Sequence, residues 1–183
     1  MRIGVFFGER FEEIEALAVV DILRRGGYDV ETVSVSSTHH VRGSHGVEIK
    51  TDLIIAEIRL SSYDVLVLPG GPGHTNLEKC SSLMKYVKKF PTEGKYIAAI
   101  CASPSIFGRA GLLEGKKATC FPGYEGELKG ATYTGAEAEI DGYVITGRSA
   151  GCATQFALKI IEAVDGKEAA AKVADSIYYD HYQ

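Results

Sequence analysis

Val65-Leu66-Val67-Leu68 is a run of four apolar residues with no polar position, and it ends on Pro69-Gly70-Gly71. A strand with one face in water alternates apolar and polar residues. A short strand without polar positions needs cover on both faces, as in a parallel sheet between helices. Tyr96-Ile97-Ala98-Ala99-Ile100 repeats the pattern and ends on Cys101, and residues 1–7 read as a similar first strand. Helical patterns separate these runs, so the chain reads as βαβ units around a mostly parallel sheet. Strands are expected at residues 1–7, 28–35, 64–68, 96–100 and 117–120. Helices are expected at 11–25, 76–90, 103–111, 150–164 and 167–176. Gly26-Gly27 closes the first helix. Residues 41–50 read as a hairpin turning at Arg42-Gly43-Ser44-His45-Gly46. A second hairpin is expected at 136–140 and 143–146, turning at Asp141-Gly142.

The 183 residues are 45% hydrophobic and 24% charged, with net charge −4. With no linker, repeat or low-complexity tract, residues 1–183 read as one domain. Both signs of charge are interspersed, which argues against a nucleic-acid footprint. Lys85, Lys88 and Lys89 read as a solvated helix face. No apolar run reaches the 18 residues of a membrane span, and the N-terminus lacks a signal-peptide cleavage pattern. Cys80, Cys101, Cys120 and Cys152 lie far apart without C-x-x-C, so neither a disulfide framework nor a zinc site is expected. The expectation is a cytoplasmic protein without metal or cofactor.

In open α/β sheets, ligands bind beyond the carboxyl ends of the strands. Three segments fall there. Cys101 stands at a strand-to-helix turn, with Ser103 as a cap and Pro104 in the first helical turn. Such a turn holds a nucleophile above the sheet, and the helix N-terminus favours thiolate. A free cysteine is, however, commonly a small buried hydrophobe. Gly70 and Gly71 permit close backbone approach, and the Gly71 N–H could join that of Ala102 in an oxyanion hole. The same glycines would serve a tight turn. Glu15 shares a helical stripe with Phe11, Ala18, Val19 and Ile22. Burial there would raise its pKa and let it act as an acid. The alternative is a surface glutamate beside Glu12 and Glu13 in an acidic first turn.

Glu12-Glu13-Ile14-Glu15, Leu68-Pro69-Gly70-Gly71 and Ala98-Ala99-Ile100-Cys101-Ala102-Ser103-Pro104 together resemble the ThiJ/PfpI superfamily. The similar branch is that of the Parkinson-disease protein deglycase and its bacterial relatives, some labelled thiazole-phosphate biosynthesis proteins. Thr146-Gly147-Arg148-Ser149-Ala150-Gly151 and Phe156-Ala157-Leu158-Lys159-Ile160-Ile161-Glu162-Ala163 extend the likeness nearly end to end. It implies a flavodoxin-like three-layer α/β sandwich with a cysteine nucleophile elbow, assembled as a homodimer. Cys101 matches the reactive cysteine, Glu15 the protonated glutamate beside it, and Gly71 and Ala102 the backbone donors. Gly70 neighbours them. His45 lies where relatives often carry an arginine that reaches across the dimer, and Arg148 lies in a matching late loop. Ala102 stands where many superfamily hydrolases have histidine, which argues against a Cys-His dyad. Phe121 stands where animal members have another site histidine. His74 could replace that histidine in space, although it reads better as a solvated loop residue. Cys120, Cys152 and the tail tyrosines Tyr178, Tyr179 and Tyr182 are expected to pack.

The resemblance implies a cofactor-independent cysteine enzyme of the glyoxalase III or deglycase kind, acting on small aldehydes or glycated substrates. The competing reading is a redox-sensing thiol protein or chaperone of the oxidative-stress response, with Cys101 oxidised to sulfinate. No thiamine- or phosphate-binding signature supports the thiazole label.

Overall fold

Period-two alternation sends successive strand residues to opposite faces, and in this chain both faces are apolar. A computed structural model describes residues 1–182. The chain runs β1 (Arg2–Phe7), α1 (Glu13–Arg25), β2 (Asp29–Ser34), β3 (His40–Arg42), β4 (Glu48–Lys50) and β5 (Leu53–Ile54). It continues through β6 (Val65–Leu68), α2 (His74–Lys79), α3 (Ser81–Lys89), β7 (Tyr96–Ile100), α4 (Pro104–Arg109), β8 (Lys117–Ala118) and β9 (Thr132–Tyr133). It closes with β10 (Ala138–Asp141), β11 (Val144–Gly147), α5 (Ala153–Asp165) and α6 (Lys167–Ser176).

Seven strands form one sheet in the order β10-β11-β7-β6-β1-β2-β5. Its pairs are parallel except β10 with β11 at one edge. Ile3, Val5, Phe7, Val65, Val67, Ala98 and Ile100 face a core with α1, α5 and α6. Phe6, Leu66, Leu68, Ile97 and Ala99 face the opposite core, with α2, α3 and α4. The result is a three-layer sandwich, and the buried apolar side chains of the central strands divide between its two cores. β1 has β2 on one side and β6 on the other. The chain order therefore reverses at β1, which makes the carboxyl ends of β1 and β6 the switch-point crevice.

Most expected elements form within a residue or two of their expected ends. The first helix starts at Glu13 and stops at Gly26, whose N–H donates to Ile22 O at 3.1 Å. Both hairpins form, as the β3–β4 and β10–β11 pairs. The helix expected over 76–90 is instead two, α2 and α3. They break at Cys80, whose backbone is extended (ψ 93°) and whose N–H donates back to Leu77 O. The helix after Cys101 has six residues. Ser103 does not cap it, because the Ser103 hydroxyl donates to Pro69 O at 2.6 Å instead. A one-turn 3₁₀ helix, Ala150–Cys152, precedes α5. The short strands β5 and β9 carry no apolar pattern strong enough to mark them in the sequence. In the tail, Tyr179 and Tyr182 pack on the core, whereas Tyr178 is 91% exposed. The outward turn at Tyr178 (φ +54°) keeps its ring from the packing expected of it.

Candidate active site

β7 ends one residue before Cys101, and the chain there turns through a left-handed conformation, φ +67°. A residue with a Cβ adopts that region at a cost, and such strain persists only where surrounding structure enforces it. The enforcement is visible. The Cys101 N–H donates to Gly147 O at 2.9 Å, continuing the β7–β11 ladder, and Cys101 O accepts the Phe121 N–H at 2.8 Å. The elbow is thus fixed on both sides, and the hydroxyl of Ser103 ties it to Pro69.

The turn after β6 lies against this elbow. Gly70 O accepts the Glu12 N–H at 3.1 Å, and the Gly73 N–H donates to Arg10 O at 2.9 Å. These bonds join the β6–α2 turn to the β1–α1 turn and bring the start of α1 over the strand ends. Glu15, in the first turn of α1, is 1% exposed, and its Oε2 accepts the Gly70 N–H at 2.9 Å. Its Oε1 is buried and accepts no hydrogen bond. A Cβ on Gly70 would sit 2.5 Å from Glu15 Oε2 and 2.6 Å from Cys101 Cβ. Gly70 is therefore the spacer that lets carboxyl and cysteine approach each other. Gly71 adopts φ +83°, and a Cβ there would sit 2.6 Å from the Glu12 nitrogen.

Burial pushes the Glu15 carboxyl up to about 7, helped by the charge on Glu12 and opposed by hydrogen bonds from Cys101 and Gly70. Burial also pushes the Cys101 thiol up, and the charge and hydrogen bonding of Glu15 push it further. The backbone N–H groups of Gly71 and Ala102 pull it down. Carboxyl and thiol titrate as one coupled pair. While Glu15 is anionic its charge adds to burial in keeping the proton on the thiol, and when Glu15 is neutral burial alone works against the two N–H donors. This corrects the expectation of a thiol acidified by a helix dipole. Cys101 is 9% exposed and α4 is short, so burial and the neighbouring carboxyl govern the proton.

The other sequence candidates divide. Ala102 and Gly71 lie at the thiol through their N–H groups, and Gly70 lies between the pair. Phe121 is half-exposed and joins the elbow through its backbone. His74 is not a solvated loop residue. It opens α2, is 8% exposed, and packs edge-on against Tyr124 with ring centroids 5.8 Å apart. The sequence placed Tyr124 too far away to foresee that cover. Arg148 donates to Gly135 O at 2.7 Å and is used in bracing that loop. His45 is drawn into a different cluster. Its Nδ1 lies 3.0 Å from Glu13 Oε2 and 3.6 Å from Glu12 Oε1. Burial raises the Glu13 carboxyl, but hydrogen bonds from the His45 side chain, its own backbone, and the His45 and Val47 N–H groups outweigh this. They hold it down at about 2. Glu12, Glu13 and His45 offer ligand atoms within 4.8 Å of one another, a grouping that sequence spacing concealed. Their bonds to one another and to Ser44 fasten the β3–β4 turn to α1. Cys120 and Cys152 are buried as expected, and burial pushes the Cys120 thiol up to about 12. Sequence reasoning missed Gly147 and Ser103 as supports of the elbow. Gly147 ends a strand beside β7, so the strand-end rule applied to β11 would have found it.

The DJ-1/PfpI family matches residues 1–163. The chain belongs to that family. It is 42% identical over 166 residues to Protein DJ-1 homolog B of Arabidopsis thaliana, covering 89% of this chain and 38% of that protein. The chain thus spans less than half the length of that relative. A glutathione-independent glyoxalase of Caenorhabditis elegans is 33% identical, with 87% of this chain and 86% of that protein covered. A deglycase of Pyrococcus abyssi is 30% identical, with 82% and 92% covered. Oxidised Toxoplasma gondii DJ-1 superposes with a TM-score of 0.93 at 35% identity, covering 98% of this chain and 99% of that one. The sandwich described above is the flavodoxin-like α/β fold of the DJ-1/PfpI family.

Proposed function

We propose that the protein is a cofactor-independent cysteine enzyme acting on small reactive carbonyls, with Cys101 as nucleophile and Glu15 as proton carrier. The observation that carries this reading is the Glu15–Gly70–Cys101 contact: a buried carboxyl, held near neutrality in its titration, against a strained thiol. The glyoxalase and deglycase relatives supply the substrate class.

With methylglyoxal, the sulfur adds to the aldehyde carbon and the carbonyl oxygen becomes an oxyanion facing the Gly71 and Ala102 N–H groups. Protonation of that oxygen gives a hemithioacetal. Glu15 in its anionic form takes the proton from the carbon bearing sulfur, giving an enediolate, and returns a proton to the adjacent carbon. The product is a thioester of a hydroxy acid. Water breaks the carbon–sulfur bond, releases the acid and restores the thiol. Methylglyoxal plus water gives lactate, with no external electron acceptor. The chemistry needs Glu15 in both protonation states, which a pKa of about 7 provides.

The assay is turnover of methylglyoxal by wild type, Cys101→Ser and Glu15→Gln. Turnover that survives Cys101→Ser overturns the proposal. A second reading, oxidation of Cys101 to sulfinate as a redox response, draws on one observation: the four cysteines are all free. Clean sulfinate formation under mild peroxide, without aldehyde turnover, would favour it. In either case we expect a cytoplasmic homodimer. Ile14 and Leu17 on α1 and Val47 in the neighbouring hairpin leave apolar surface for a second copy. No helix among the described residues is long and apolar enough to cross a membrane.

A further inference from the structure

His74 does something the reaction sketched above does not use. Its Nδ1 lies 2.9 Å from Gly71 O. A carbonyl oxygen has no proton to give, so Nδ1 carries the hydrogen, which fixes the tautomer of the neutral ring. The His74 backbone N–H reaches the same oxygen at 3.1 Å. The ring itself is held edge-on by Tyr124. The Tyr124 N–H donates to Phe121 O at 3.1 Å, and the Phe121 N–H donates to Cys101 O. His74 thus closes a circuit that leaves the elbow through Phe121 and returns to it through Gly71.

The backbone around Gly71 explains why such a clamp is needed. Without a Cβ, Gly71 is free to turn about both of its backbone torsions. The peptide before it, which carries the Gly71 N–H, is held through Gly70 O by the Glu12 N–H. The peptide after it joins Pro72 and has no N–H, so its oxygen is its one hydrogen-bonding handle. That handle is the atom His74 grips.

We propose that His74 is a positioning residue, whose Nδ1–H locks the Gly71 carbonyl so that the Gly71 N–H stays aimed at the Cys101 sulfur. The proposal deepens the reading of Gly71 as a donor to the reacting sulfur and rests on it. The role is one of position: the Nδ1–H acts through the Gly71 carbonyl and touches no reacting atom.

The test reads the sulfur directly. Alkylation of Cys101 by iodoacetamide is followed by peptide-resolved mass spectrometry across pH, in wild type and in His74→Phe, His74→Asn and His74→Gln. Phenylalanine keeps the contact with Tyr124 but has no donor. The asparagine amide nitrogen falls where Nδ1 lies, and glutamine carries its amide one carbon further. The Phe and Gln variants should shift the alkylation profile about one pH unit upward, the scale of one hydrogen bond to a charged group. The Asn variant should stay within a few tenths of a unit of wild type. A folded Phe variant that overlays wild type overturns the proposal, and so does an Asn variant that shifts as far as Phe. If the Phe variant does not fold, the Asn and Gln pair decides, and equal profiles overturn the proposal. Methylglyoxal turnover is measured on the same wild-type sample. Its absence, with the profile shifting as described, would sink the enzymatic reading and leave the positioning role standing.

Discussion

Glu15 and Cys101 each shift the protonation of the other, and this has consequences for titration. Wild-type Cys101 should alkylate with two inflections in its pH profile, since a coupled pair titrates in two steps. Glu15→Gln should reduce these to one and lower methylglyoxal turnover by roughly 10²-fold or more, the usual scale for a lost acid-base group. The same residue ties stability to pH. Its folded pKa, about 7, lies above the ordinary value of 4.5. The native state therefore holds the proton more tightly, and the stability this provides is full below pH 4.5 and is lost as pH rises through 7. Urea midpoints of wild type should fall between pH 5 and pH 8 more steeply than those of Glu15→Gln. Equal slopes would mean that Glu15 is not the buried acid described. Gly70→Ala tests the contact sterically. With 2.5 Å to Glu15 Oε2 and 2.6 Å to Cys101 Cβ, the added methyl has to displace one of them. Overpacking of this kind costs roughly 1–3 kcal/mol, and here the misplaced atoms are the reacting ones. The variant should unfold at lower urea and lose turnover beyond what its stability explains.

At the scale of elements, Glu13 makes more of the bonds that tie the β3–β4 hairpin to α1 than the neighbouring carboxylates Glu9 and Glu12. Glu13 Oε1 accepts the His45 N–H at 2.7 Å, and Glu13 Oε2 meets the Ser44 hydroxyl and the His45 ring. Glu13→Ala should cost roughly 2 kcal/mol, the scale of a lost charged acceptor, and should open the 43–47 turn to proteolysis. The folded pKa of Glu13, about 2, lies below the ordinary value. Its contribution is therefore present above pH 4.5 and is lost as pH falls through 2. The elements themselves were largely legible. Val65–Leu68 could only be a strand covered on both faces, and Tyr96–Ile100 formed with the ends expected. Glu15 was legible because a carboxylate on an apolar stripe has to be accounted for. What escaped was set by partners distant in sequence. The cover of His74 comes from Tyr124, the anchor of Cys101 from Gly147, and the distraction of Ser103 from Pro69. The break at Cys80 escaped for another reason, because residues 76–90 keep a helical pattern across it.

For the whole molecule, the expected state in solution is a dimer through α1 and the adjoining hairpin. Ile14 is 58% exposed, Leu17 37% and Val47 47%, more apolar surface than this part of a solitary domain needs. Sedimentation at micromolar concentration should give twice the chain mass, and Leu17→Glu should give the monomer. A monomeric wild type would dismiss that surface as an interface. The elbow has one more consequence, and it concerns biosynthesis. Cys101 is bolted to Gly147, and the strand carrying that anchor follows tens of residues later. A chain leaving the ribosome amino-end first presents β1, α1 and β7 before β11 exists to brace the turn. In that interval the thiol lacks the ladder that strains and shelters it, and electrophiles can reach it as they would any free cysteine. The newborn chain is thus open to chemical injury at a residue that its finished form buries.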